Sequence, residues 1–244
     1  MEDYIKSISF DNKIKFPNNF DDNIPRSIFS PNIIEINFGL SFDKKIDPHV
    51  FPDSLEKLSF GSFYNQTFEL CTLPEKLKIL ILGNDYNQQI EQNILPQSLE
   101  YLEFGHNFQQ ELKEHVLPPN IKTLIFGNRY NFNFTKNILP RSLLNLTLGQ
   151  KYNMALTEDV IPESLVYLTL NGSTSNKNLL DNIPINCNIE ILEIYRLQYS
   201  LDNLPTTIKK IKLLCPNKNV TELIKKIPFG CEVDIQSYYD DYYA

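Results

Sequence analysis

Pro74-Glu75-Lys76-Leu77-Lys78-Ile79-Leu80-Ile81-Leu82-Gly83-Asn84-Asp85-Tyr86-Asn87, running on to Leu95, is one copy of a unit that recurs every 22 residues. Prolines stand at 52, 74, 96, 118, 140, 162 and 184, and glycines at 39, 61, 83, 105, 127 and 149. Six of the chain's eight glycines share that register, which chance spacing does not produce. A short fixed period defines a solenoid, in which each unit buries its apolar edge only against its neighbours.

Counting from the proline as zero, offset +3 reads Ile33, Leu55, Leu77, Leu99, Ile121, Leu143, Leu165. Offset +6 reads Ile36, Leu58, Leu80, Leu102, Leu124, Leu146, Leu168, and offset +8 reads Phe38, Phe60, Leu82, Phe104, Phe126, Leu148, Leu170. Apolar residues at +6 and +8 between variable ones give the two-residue alternation of a half-buried strand. The glycine at +9 ends that strand, because the corner needs positive φ or has no room for a Cβ. Offset +12 is aromatic (Phe42, Tyr64, Tyr86, Phe108, Tyr130, Tyr152), and +13 is a short amide or acid such as Asp43, Asn65 and Asn87. Stacking predicts an aromatic spine beside a polar ladder that satisfies the backbone groups of each turn. The frame proline fixes φ and bars a ladder hydrogen bond, so it belongs in the corner before the strand.

The ends are less regular. Residues 1–29 read as an N-terminal cap, with Tyr4–Phe10 as a degenerate first strand and Phe16–Pro25 interrupting the register. Residues 30–204 form the repeat array, and 205–244 a C-terminal cap with an acidic, tyrosine-rich tail, all within one continuous domain. Asn219-Val220-Thr221-Glu222 reads as a capping box opening a short helix through Ile227, before a last strand at Cys231–Ile235.

A net charge of −7 speaks against a nucleic-acid or anionic-membrane partner. The acidic start and the absence of an apolar leader predict a cytoplasmic protein. Cys71, Cys187, Cys215 and Cys231 show no metal or disulfide spacing and read as reduced thiols.

A strand of LxxLxF/L-G form with a turn after it resembles a leucine-rich repeat. Leu95-Pro96-Gln97-Ser98-Leu99-Glu100-Tyr101-Leu102-Glu103-Phe104-Gly105 and Tyr86-Asn87-Gln88-Gln89-Ile90 resemble more closely the FNIP repeat family, whose unit runs roughly LPxSLxxLxFGxxFNxxI. The amide at +13 lies ten residues after the +3 leucine, where an ordinary leucine-rich repeat has eight. The resemblance implies a leucine-rich-repeat-like solenoid with one short parallel strand per repeat, irregular return segments and capped ends. It further implies a non-enzymatic scaffold binding a protein partner. Some relatives carry an F-box, which implies an alternative role as substrate-recognition subunit of a ubiquitin ligase. Residues 1–29 do not suit that module, so a ligase role here needs an adaptor in another chain.

The outward strand positions are the expected working surface. The +5 column is Glu35, Lys57, Ile79, Tyr101, Thr123, Asn145, Tyr167, and the +7 column is Asn37, Ser59, Ile81, Glu103, Ile125, Thr147, Thr169. Ile79, Ile81, Tyr101 and Ile125 are expected to adjoin as an exposed apolar patch, which often marks a protein interface. The alternative is that β-branched and aromatic residues simply suit an open sheet. The expected partner-binding residues are Ile79, Ile81, Tyr101, Glu103, Thr123, Ile125 and Tyr167. No catalytic, cofactor or metal residue is expected: His49, His106 and His115 have no repeated acidic or cysteine companion, and no GxSxG context is present. Lys209, Lys210 and Lys212 read as a solvated edge that keeps the chain a monomer, with an acidic partner as the other reading.

Overall fold

The computed structural model describes residues 1–172, 183–201, 204–214 and 220–236. The chain divides into two compact units, Met1–Gly127 and Asn128–Ala244. The expected tail at 237–244, and Cys215 and Asn219, lie outside the described residues.

In the first unit α1 (Glu2–Ser7) leads to β1 (Ser9–Phe10), which pairs antiparallel with β2 (Lys13–Lys15). From β2 onward the strands are parallel: β3 (Glu35–Asn37), β4 (Lys57–Ser59), β5 (Ile79–Ile81), β6 (Tyr101–Glu103) and β7 (Thr123–Ile125). Residues 22 apart in sequence sit side by side, as in Ile36–Leu58–Leu80–Leu102–Leu124, and each of these is wholly buried. The sequence period is therefore one turn of a parallel β-solenoid.

Three corners shape each turn. The proline carbonyl accepts the N–H of the +3 residue, as in Leu77 to Pro74 at 3.0 Å, and the +9 carbonyl accepts the +12 N–H, as in Tyr86 to Gly83 at 3.1 Å. The third corner lies at +19, where Ser27, His49, Cys71, Asn93, His115 and Asn137 all have φ between 61 and 69°. The strand-ending glycines are not in that region. A Cβ on Gly61, Gly83, Gly105 or Gly127 would come closer than 3.0 Å to the carbonyl oxygen of the preceding turn's glycine. Lack of space, not positive φ, selects glycine at +9.

The aromatic spine and the polar ladder are both present. Phe42, Tyr64, Tyr86 and Phe108 stack in succession with ring centroids 5.9 to 6.3 Å apart. The Tyr64 and Tyr86 hydroxyls are buried without a hydrogen-bond partner, and burial raises both pKa values. Beside them the Asn65 amide N–H donates to Asp43 Oδ1 at 2.8 Å, Asn87 to Asn65 at 2.9 Å, and Gln109 to Asn87 at 2.8 Å. Gln66, Gln88 and Gln110 brace the same acceptors through their side-chain amides.

The N-terminal end differs from expectation. Tyr4–Phe10 is a helical turn and a two-residue strand, and Phe10 is 79% exposed instead of filling a core position. The first strand of the array is β2, where buried Ile14 is flanked by exposed Lys13 and Lys15. Residues 8–29 already carry the columns: Pro17 stands where the glycines do, Phe20 stacks on Phe42 at 5.9 Å, and Asp21 accepts the Asp43 N–H at 2.9 Å.

The second unit holds β8 (Asn145–Leu148), β9 (Tyr167–Leu170), β10 (Ile191–Tyr195), β11 (Lys210–Leu214) and β12 (Glu232–Gln236), paired in parallel in that order. Leu168, Leu192, Ile211 and Val233 align although their sequence spacing varies, so the return segments absorb the difference. The strand alternation holds the register, since a one-residue slip would turn the apolar set outward. The expected short C-terminal helix is a single 3-10 turn, Val220–Leu223, which stops short of Ile227. Leu201 takes the backbone groups a helix would need: its N–H donates to Leu223 at 2.8 Å and its carbonyl accepts from Lys226 at 3.1 Å. So short a segment gains little from helix formation, and the bridge between Leu201 and Ile224 prevails.

Candidate functional site: the strand face

Because strand side chains alternate, burying +6 and +8 sends +5 and +7 to the opposite face. In the first unit that face changes character from one end to the other. Over β2 to β4 it is charged. Lys13 Nζ lies 3.2 Å from one Glu35 carboxylate oxygen and Lys57 Nζ 2.9 Å from the other. Asn37 Nδ2 donates to Glu35 at 3.1 Å, and the Ser59 hydroxyl donates to Asn37. The Lys57 hydrogen bond foremost, with those from Asn37 and Lys13, holds the Glu35 pKa down at about 2.

Over β5 to β7 the face is mainly apolar, and Ile79, Ile81, Tyr101, Glu103, Thr123 and Ile125 are each half-buried. Register places Ile79 beside Tyr101 and then Thr123, and Ile81 beside Glu103 and then Ile125. The expected contiguous patch is therefore split, with Glu103 standing between Ile81 and Ile125. Tyr101 moderates that charge by donating its hydroxyl to Glu103 at 2.6 Å. Burial first, and the Glu103 bond second, raise the Tyr101 pKa, so the hydroxyl keeps its proton at neutral pH.

Tyr167 lies in the second unit with its own company. Its hydroxyl donates to Glu193 and accepts from Lys212 at 2.9 Å, and the Lys212 ammonium sits 5.2 Å from the ring centre and 3.5 Å from Glu193. Burial raises the Tyr167 pKa, while its hydrogen bond raises that of Lys212. The lysines read from sequence as a solvated edge are not one: β12 covers β11, Lys210 pairs with Glu232 at 2.9 Å, and Lys209 pairs with Glu190 at 2.6 Å. Neither Lys13 on the first unit's strand face nor the Glu193–Lys212 pair on the second unit's was legible, because both lie where the regular frame is lost.

His49 and His115 occupy the left-handed +19 corner, so their position follows from backbone conformation. Among the described residues no group of three or more His, Cys, Asp or Glu could hold a metal ion. No described helix is long and apolar enough to cross a membrane.

These features define a repeat solenoid of leucine-rich-repeat type, a class typical of non-enzymatic protein-interaction scaffolds. The FNIP Repeat description matches residues 20–63, 64–107, 86–129, 108–151 and 130–173, and the chain belongs to that family. Among solved structures it is similar to CroV588, described as a novel circular LRR protein, at 30% identity and a TM-score of 0.74. The likeness covers 91% of this chain but 33% of that one, so the chain spans about a third of that relative's length. No curated protein matches the chain.

Proposed function

We propose that the protein is a non-enzymatic, monomeric cytoplasmic scaffold that binds a protein partner on the strand face, with β5 to β7 as the principal surface. One observation carries this reading. Ile79, Ile81, Tyr101 and Ile125 stay half-buried on a face that the core does not use, where full coverage would remove further apolar surface from water. Aromatic and aliphatic anchors of this kind supply most of the energy of protein interfaces. Tyr167, on the second unit's own strand face, would be a separate anchor there, steadied by Glu193 and Lys212.

The test compares proteins captured by the wild type with those captured by a Tyr101→Arg, Ile125→Arg double variant, with circular dichroism confirming the fold. Loss of a specific partner, with affinity lowered by more than about tenfold, is expected. Unchanged partners would contradict the reading. Recovery of a cullin-type complex by the wild type would extend the role to substrate recognition for a ubiquitin ligase.

A further inference from the structure

The charged end of the first unit's strand face runs against the charge of the chain. The protein carries a net −7, yet the outward positions of β2 to β4 present Lys13, Lys15 and Lys57 against the single carboxylate of Glu35. Glu35 is already shared between Lys13 and Lys57. Lys15 is exposed and has no ion-pair partner among the described residues. Further along the same face Ile79, Ile81 and Ile125 flank Glu103, whose carboxylate is occupied by Tyr101. A ligand crossing the strands therefore meets cations first and aliphatic side chains afterwards.

Geometry sets the spacing. From the centre of the cationic end at β3 to the centre of the apolar end at β6 is three strand steps. At about 4.8 Å per step this is roughly 14 Å, which an extended chain covers in about four residues. We propose that the face takes an extended segment of a partner protein in which a cluster of Asp or Glu and a cluster of Leu, Ile or Val are separated by about four residues. The proposal rests on the strand-face reading above and adds the chemistry of the partner. Such a segment crosses the strands and cannot share their ladder hydrogen bonds, so its side chains carry recognition. A chain of net negative charge repels acidic segments elsewhere, and that repulsion gives the lysine end selectivity.

The test is selection of random peptides displayed on phage against the full chain. Parallel selections use a Lys13→Gln, Lys15→Gln variant and the Tyr101→Arg, Ile125→Arg variant, both first shown to fold by circular dichroism. The expected result is peptides carrying both clusters at that spacing. A synthetic copy should lose about tenfold in affinity for the lysine variant. It should also weaken as salt rises from about 0.05 M to about 0.5 M. Peptides that need Tyr101 and Ile125 but lack acidic residues would overturn the acidic partner and leave the strand-face reading standing. Peptides indifferent to both variants would overturn both. No enrichment over a blank surface would overturn the peptide chemistry, with the double-variant comparison still deciding the face.

Discussion

Gly105 and His115 show how one backbone asks for opposite things at two corners. A Cβ at Gly105 would collide with the Gly83 carbonyl oxygen, a backbone atom that cannot rotate away. His115 holds φ at 63°, a conformation that costs a side chain about 1–2 kcal/mol and glycine almost nothing. Gly105→Ala should therefore lower stability by about 3 kcal/mol in denaturant unfolding. His115→Gly should leave stability unchanged or raise it by up to about 1 kcal/mol, since the relieved strain is partly offset by a freer unfolded chain. An unchanged stability for Gly105→Ala would contradict the close approach as the cause of the glycine column. Sequence spacing located both columns but could not rank these causes at +9, because a missing Cβ looks the same whether the reason is torsion or space.

At the scale of the element, the Lys13–Glu35–Lys57 ladder ties β2, β3 and β4 together across their outward faces. Its pH dependence follows from the depressed Glu35 pKa. The native carboxyl titrates near 2 and the unfolded one near 4.5. The stabilisation is thus fully present above about pH 4.5 and is lost as pH falls towards 2. Thermal unfolding of the wild type should lose more of its midpoint across that window than a Glu35→Gln variant does. Equal losses would remove the ladder from the account. The strands β3 to β9 were legible because each carries the apolar pair at +6 and +8. The N-terminal end was not, since Tyr4–Phe10 offers a comparable apolar pattern and β2 lacks both the frame proline and the glycine. The C-terminal helix is shorter than the capping box suggests, because that signal is local while the Leu201 bridge that ends it comes from another turn.

At the scale of the whole molecule, the architecture leaves the strand face as a surface whose residue types vary from turn to turn. Core columns repeat because every turn must fill the same space, whereas +5 and +7 answer to no neighbour inside the coil. The sequence identified those columns and their apolar members. The +7 column already set Glu103 between Ile81 and Ile125, but that Tyr101 donates a hydrogen bond to that carboxylate depends on side-chain placement, which the pattern does not carry. Function follows from this division only if partners contact the strands and not the returning segments. The most direct measurement is photo-crosslinking from a benzophenone residue placed at Ile79 on the strand face or at exposed Thr67 on a return segment. A discrete crosslinked partner is expected from Ile79 and none from Thr67. A partner captured from Thr67 and not from Ile79 would contradict the strand-face reading.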